Sequence, residues 1–336
     1  MKKYDLIVIG AGPGGYVAAL RAAKLGATVA MVEDREAGGT CLNRGCIPTK
    51  TLLHSSQLYH YIVTGEAAGI RAEQVRVDMG AVFARSRAIS EKLSAGIETM
   101  FKGAKVELFH GKGTIVSPGN VLVKSPHGDE TLHGGKILAA TGSVPARPPI
   151  PGLEQEGVLT SDDLLRGCDR LYRSLVIIGG GVIGVEFATF FNDLGCQVTI
   201  LEGLDRLLPA MDRELGQNLA LILKKRGVTV AVNAMVQSVE RSADGLTVRY
   251  TQKDAACSTA GEVVLSAIGR KPYLEGLFAP DLQPEMCGAR LKVDENFQTS
   301  IPGVYAIGDV SSKIQLAHVA SAQGAACVEA DRKSVV

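Results

Sequence analysis

Short apolar runs alternate with glycine-rich turns and helix-like stretches along most of the 336 residues. Leu6-Ile7-Val8-Ile9 is a continuous apolar run of the length and β-branched character of a buried strand. It leads into Gly10-Ala11-Gly12-Pro13-Gly14-Gly15, then a helical stretch from about Tyr16 to Leu25, then a second strand, Thr28 to Val32, that ends at Glu33. The same order returns. Leu175-Val176-Ile177-Ile178 meets Gly179-Gly180-Gly181-Val182-Ile183-Gly184, a helical stretch runs to about Leu194, and the strand Val198 to Leu201 ends at Glu202. In both copies the carboxylate lies 23 positions after the first glycine.

Strand, glycine turn, helix, strand and terminal carboxylate is the order a dinucleotide-binding unit requires. Gly10 and Gly179 make the tight turn, Gly12 and Gly181 let the backbone approach a pyrophosphate, and Gly15 and Gly184 let helix pack on strand. The helix N-terminus offers unpaired N–H groups and a positive dipole end to the phosphates. Glu33 and Glu202 are placed to accept hydrogen bonds from an adenosine ribose. One such turn is a weak signal; two complete units with one acidic spacing are a strong one. The expectation is an α/β chain with two Rossmann-like dinucleotide-binding domains, and so two dinucleotides.

The proline-rich stretch from about Ser143 to Gly152 reads as a connector, and a second crossover is expected near Gly269 to Pro272, after the strand Val263 to Ala267. This predicts a first domain over 1–145, a second over 146–270, and a return segment over 271–330 that completes the first. In that segment the strand Val304 to Ile307 ends in Gly308-Asp309, which puts Asp309 at a sheet's carboxyl end, either for ligand contact or as a helix cap.

Composition narrows the partners. Apolar residues are 46% and charged residues 21%, as in ordinary globular proteins, and the 39 glycines fit many tight turns. Lysine plus arginine (36) balance aspartate plus glutamate (35), so there is no basic excess for a nucleic acid or a membrane surface. Tryptophan is absent, which removes the best base-stacking side chain. Glycines and Pro13 interrupt the first apolar stretch, so it reads as a cytoplasmic N-terminus, neither signal peptide nor membrane span.

The seven cysteines form no secreted disulfide framework, but Cys41 and Cys46 stand in Gly38-Gly39-Thr40-Cys41-Leu42-Asn43-Arg44-Gly45-Cys46-Ile47-Pro48-Thr49-Lys50. On a regular helix five residues mean about 140° of rotation and Cα atoms roughly 8–9 Å apart, too far for a disulfide, which needs less than about 7 Å. Gly45 and Pro48 allow the segment to bend, and a helix beginning near Pro48, with Lys50 close by, would favour a thiolate. Zinc, two unrelated buried thiols and a redox pair are the readings open from spacing. The dinucleotide unit immediately upstream favours the redox pair over a zinc site, for which no second ligand pair is spaced.

Together these segments resemble the flavin disulfide oxidoreductases (class I pyridine nucleotide-disulfide oxidoreductases), closest to their dihydrolipoyl dehydrogenase branch. The resemblance rests on Tyr4 through Tyr16, Gly38 through Lys50, Ala140-Thr141-Gly142, Gly179 through Ala188, Ala267 through Pro272, Gly303 through Asp309 and Leu316 through Ala320. It implies FAD in the first unit, contacted by Gly10, Gly12, Gly14, Gly15, Glu33, Thr40, Lys50, Gly113, Thr141, Gly142, Asp309 and the Ala317 backbone. It implies NAD in the second, contacted by Gly179, Gly181, Gly184, Glu202, Val236 and Gly269. Glu202 favours NAD over NADP, because a 2′-phosphate would meet a carboxylate; Arg206 reads as a surface residue. By the same resemblance Cys46 faces the flavin as the charge-transfer thiolate, Cys41 is the interchange thiol, and Lys50 and Glu186 form an ion pair beside the flavin.

The implied reaction oxidises dihydrolipoamide, carried on a lipoyl-bearing acyltransferase or a glycine-cleavage carrier protein, through the Cys41–Cys46 disulfide and FAD, and reduces NAD⁺. The family continues into a domain that builds a homodimer and supplies a His–Glu base to the partner. Here no histidine begins a His-x-x-x-x-Glu pattern, so the sequence reads as C-terminally truncated, with a non-native tail over 331–336. Two alternatives accompany this reading: a sibling reductase of glutathione or mercuric ion, and an inactive fragment that binds FAD and NAD.

Overall fold

The structure, a computed structural model, describes residues 2–243 and 245–333; the expected tail therefore lies outside the described residues from Ser334 onward. The helices, in chain order, are α1 (Pro13–Lys24), α2 (Gly39–Asn43), α3 (Cys46–Val63), α4 (Met79–Gly103), α5 (Ser161–Arg166), α6 (Val182–Asp193), α7 (Arg213–Lys225) and α8 (Ala317–Lys333). The chain divides into two compact units. One comprises the residues up to Asn43, Ser90–Val144 and those from Lys271 onward; the other comprises Arg44–Ile89 and Pro145–Arg270.

This division departs from the 1–145 expectation at one segment, 44–89. Its apolar residues explain why: Leu52 of α3 and Met79 and Phe83 of α4 are buried in one cluster with Phe187, Phe190 and Phe191 of α6. Phe83 meets Phe190 edge-on at 6.2 Å between centroids. Burial of that much aromatic surface decides where the segment packs.

In the first unit five parallel strands run in the order Glu107–His110, Val29–Glu33, Lys3–Ile9, Glu130–Ala139 and Val304–Ala306. An antiparallel pair, Lys112–Ser117 and Asn120–Lys124, continues from the first half of Glu130–Ala139. The run read as the first strand is central, with Ile7, Val8 and Ile9 buried, as a strand covered on both faces should be. Helix α1 packs on α8 through small residues: a side chain on Gly324 would begin 2.4 Å from the Gly14 carbonyl oxygen.

The second unit repeats the plan. Parallel strands Thr229–Ala231, Gln197–Leu201, Ser174–Ile178, Val263–Ser266 and Val158–Thr160 lie in that order. An antiparallel meander, Ala234–Ser242, Gly245–Gln252 and Ala255–Gly261, precedes the strand Val263–Ser266 in sequence. Thr160 and Asp163 form a reciprocal capping box at the start of α5.

Two helix starts differ from the sequence reading. Helix α1 begins at Pro13 and α3 at Cys46, a few residues before Tyr16 and Pro48. Proline is tolerated in a first turn because the missing N–H has no partner there in any case. Among the described residues no helix is long and apolar enough to cross a membrane.

Candidate dinucleotide and disulfide sites

Backbone hydrogen bonds tie the strand ends around the first turn. Gly10 donates to Val32 O at 2.8 Å and Ala140 donates to Ile9 O at 2.8 Å, which locks the turn between neighbouring strands. Gly10 has φ +100°, and a side chain there would begin 2.5 Å from Ala140 O. At Gly15 it would begin 1.8 Å from Gly10 O, so any larger residue separates α1 from its strand. Gly12 is different. It caps α1 without a side-chain hydrogen bond, and its nearest would-be neighbour, Gly39 Cα, is 3.9 Å away. The first-turn N–H groups of a helix lack intrahelical partners, and a bare backbone there suits a pyrophosphate.

Glu33 is buried at the end of its strand. Its Oε2 accepts from Ala11 N at 2.6 Å and its Oε1 from Arg35 N at 2.9 Å. Burial pushes its carboxyl up to about 7; the two N–H donors oppose that rise, and the neighbouring Asp34 adds to it.

The second turn reproduces this arrangement. Gly179 donates to Leu201 O and Ala267 to Ile178 O, both at 2.8 Å. Gly179 has φ +109°, and a side chain on Gly184 would begin 2.0 Å from Gly179 O. Gly181 caps α6 without a side-chain bond and has nothing within 4 Å of its would-be side chain. Glu202, also buried, accepts from Gly180 N at 2.6 Å and from Leu204 N at 2.8 Å. Both sets of residues fit a dinucleotide: a backbone cradle at the pyrophosphate position and a buried carboxylate at the ribose position.

The cysteine segment starts on the first turn. Gly38 donates to Ala11 O at 2.8 Å, and Gly39 comes so close to Gly12 that a side chain on it would begin 2.6 Å from Gly12 Cα. Cys41 is half-buried on α2, one residue after Thr40. The Tyr16 phenol is held above its ordinary range by burial, with Cys41 adding to the shift. Helix α2 is fastened from both sides. Asn43 Nδ2 lies 3.0 Å from Ala37 O, 3.1 Å from Gly39 O and 3.4 Å from Glu36 O. Ser90 Oγ donates to Leu42 O at 2.8 Å.

Cys46 opens α3 in the other unit and is exposed. One turn further along α3, Lys50 Nζ meets Glu186 Oε1 of α6 at 2.7 Å, with side-chain exposures of 57% and 21%. At that exposure the pair adds less than about 1 kcal/mol of stability, so its interest is positional.

Among the other expected contacts, Thr141 Oγ1 donates to Tyr273 O at 2.7 Å, and Gly142 O accepts from Tyr273 N at 2.9 Å. Asp309 lies in a short 3₁₀ turn, where Ser143 Oγ donates to it at 2.6 Å. Gly113 packs against Ile9 and Val32, and Ala317 is the first residue of α8. Val236 sits at a bulge in the second unit's meander, and Gly269 accepts from Ala146 N at 2.9 Å. Sequence reasoning missed Asn43 and Ser143. Ser143 has no local signal, its partner lying 166 positions on, whereas Asn43 bonds carbonyls only four to seven residues before it, an arrangement its residue type alone does not announce.

Two dinucleotide units, one leading directly into a closely spaced cysteine pair, define a nucleotide-dependent disulfide oxidoreductase. The chain belongs to the pyridine nucleotide-disulphide oxidoreductase family, whose profile matches residues 4–324. The members of this family use FAD and NAD(H), as expected for this chain. It is 38% identical to dihydrolipoyl dehydrogenase of Acholeplasma laidlawii over 98% of this chain and 96% of that one. To the Bacillus subtilis dihydrolipoyl dehydrogenase it is 36% identical, over 97% of this chain and 71% of the other. Among solved structures it resembles the HOCl-induced flavoprotein disulfide reductase RclA of Escherichia coli in its Cu(II) complex, with TM-score 0.83 and 30% identity over 96% of this chain and 70% of that one.

Proposed function

We propose that this protein oxidises a protein-bound dihydrolipoyl group and reduces NAD⁺, with Cys41 and Cys46 as the redox pair. The observation that carries the reading is the cysteine segment itself. Cys41 stands on a short helix docked by Gly38 and Gly39 onto a turn with the features of a dinucleotide cradle. The identity of 36–39% to dihydrolipoyl dehydrogenases supports the choice of substrate.

In this reading Cys41 accepts attack by one substrate thiolate, a mixed disulfide forms, and Cys46 leaves as a thiolate. The second substrate thiol then closes the lipoyl ring and releases Cys41, so two electrons have passed from the dithiol to the cysteine pair. Bound FAD, held by the first turn with Glu33, Thr40, Gly113, Thr141, Gly142, Asp309 and Ala317, supplies the electron chemistry that links the pair to NAD⁺. Lys50, paired to Glu186, sets a positive charge one helical turn from Cys46. The second turn, with Glu202, Val236 and Gly269, holds NAD. The natural partners are a lipoyl-bearing acyltransferase or a glycine-cleavage carrier protein, met in the cytoplasm.

The test is turnover of dihydrolipoamide with NAD⁺ by the FAD-loaded protein. NADH should appear, and Cys41→Ser or Cys46→Ser should lower its rate by at least about 10³-fold while FAD stays bound. Wild-type protein that holds FAD and NADH yet leaves dihydrolipoamide unoxidised at every concentration would refute the reading. The similarity to RclA supports a second reading, a reductase that spends NADH or NADPH on another oxidant, glutathione disulfide or mercuric ion among them. Faster consumption of reduced nucleotide with those oxidants than with lipoamide would favour it.

A further inference from the structure

The loop after Glu202 carries a charge arrangement that neither the turn nor the fold requires. Asp205 Oδ1 accepts from Arg206 Nη1 at 2.9 Å, and Asp205 Oδ2 accepts from Arg213 Nη2 at 3.0 Å. Arg206 Nη2 donates in addition to Pro209 O at 3.0 Å. One carboxylate therefore holds two guanidinium groups, and the nearer of them is also tied to the backbone.

The loop is fixed in place. Leu208 donates to Gly180 O at 2.9 Å, Asn233 donates to Leu204 O at 2.8 Å, and Leu207 is fully buried. Leu204 donates to Glu202 itself, so Asp205 follows directly on a residue bonded to the carboxylate at the ribose position. In dinucleotide sites a carboxylate there accepts from the ribose 2′-hydroxyl, whereas a nearby arginine accommodates a 2′-phosphate. This loop holds both kinds of group. Glu202 and Asp205 balance Arg206 and Arg213 in charge, and the bonds of Asp205 aim the guanidinium donors at protein acceptors. The side chains of Asp205 and Arg213 are 45% and 67% exposed, so their pairing adds little stability; its effect is on which charges meet a ligand.

We propose that Asp205 is a specificity residue: by engaging Arg206 and Arg213 it excludes the 2′-phosphorylated pyridine nucleotide and reinforces the preference set by Glu202. The proposal rests on the reading of the second turn as the NAD site. Replacing Asp205 with alanine shifts the local charge by one positive unit, frees Arg213 from this carboxylate and leaves Arg206, four residues after Glu202, held by Pro209 O alone.

The test measures dissociation constants for NADH and NADPH by calorimetry on the FAD-loaded full chain. Three proteins are compared: wild type, Asp205→Ala, and Asp205→Ala combined with Arg206→Ala. Asp205→Ala should tighten NADPH about tenfold, the order of one unit charge acting across a partly solvated site, and leave NADH within about twofold. Adding Arg206→Ala should remove most of that gain. An NADPH-to-NADH ratio that is the same in Asp205→Ala and wild type overturns the proposal. If wild type binds neither nucleotide, the reading of the second turn falls, and the proposal falls with it.

Discussion

The two glycine turns share their backbone and differ in what covers them. Gly10 and Gly179 have nearly the same φ, the caps Gly12 and Gly181 are nearly identical in φ and ψ, and Glu33 and Glu202 each accept from two backbone N–H groups. The helices that follow are built from opposite materials. Helix α1 buries Gly14, Gly15, Ala18, Ala19 and Ala22, and lets α8 come close. Helix α6 buries Phe187, Phe190 and Phe191, and ends on a buried Asp193 where α1 ends on an exposed Lys24. The turn is therefore the same in both units, while each helix follows its own packing partner.

The two helices differ most at their C-terminal ends. Asp193 pairs with Arg226 and accepts from Ser56 Oγ at 3.0 Å, with only 4% of its side chain exposed. Removing one partner of a buried pair leaves the other charge uncompensated, so Asp193→Ala should cost about 4 kcal/mol in chemical denaturation. Lys24→Ala at the matching place in α1 should change stability by less than about 0.5 kcal/mol. Equal losses would show that the two ends are equivalent after all.

The turns themselves should respond alike. Gly15→Ala and Gly184→Ala each drive a methyl group into a carbonyl oxygen, and each should destabilise its own unit by about 3 kcal/mol. Separate titrations of FAD and NADH would show whether each substitution weakens only its own nucleotide.

The carboxylates bear on pH. In the folded chain Glu33 titrates near 7, against an ordinary value of 4.5, so the folded state holds the proton more tightly than the unfolded one. The stability this contributes is complete below pH 4.5 and falls as pH rises through 7, by about 3 kcal/mol at most. Thermal unfolding of flavin-free protein across that window should show the decline, and Glu33→Gln should flatten it. A wild-type profile that rises between pH 5 and 7, after allowance for the other groups in Glu33→Gln, would contradict the burial argument.

The smallest effect belongs to a device the second turn lacks. Asn43→Ala frees carbonyl oxygens that water can reach and should cost about 1 kcal/mol. It should nevertheless raise the rate at which Cys41 reacts with a small alkylating reagent, because α2 loses its tether. An unchanged rate would mean that Ser90 and the Gly38 bond position the thiol unaided.

Both dinucleotide units were legible in the sequence because their signal is local: a strand, a turn and a carboxylate within about two dozen positions. The paired carboxylates and the glycines of the two turns follow from that grammar. The placement of 44–89 was not legible, because it depends on Leu52 and Phe83 meeting aromatic residues of α6 more than 100 positions later. The same holds for Ser143 on Asp309, 166 positions apart.

The chain order of the two units has a consequence for synthesis. Every strand of the second unit's parallel sheet has been made once Ser266 is added, but the first unit's sheet needs Val304–Ala306. The interior unit can therefore close while the unit that holds the amino terminus is still missing an edge. At about 5–20 residues per second, the strand Lys3–Ile9 waits several seconds or more for its neighbour Glu130–Ala139 and longer for the return segment. Throughout that interval the turn built from Gly10 to Gly39 already exists as contiguous chain, and the Cys41 thiol beside it is born long before the sheet that will support it.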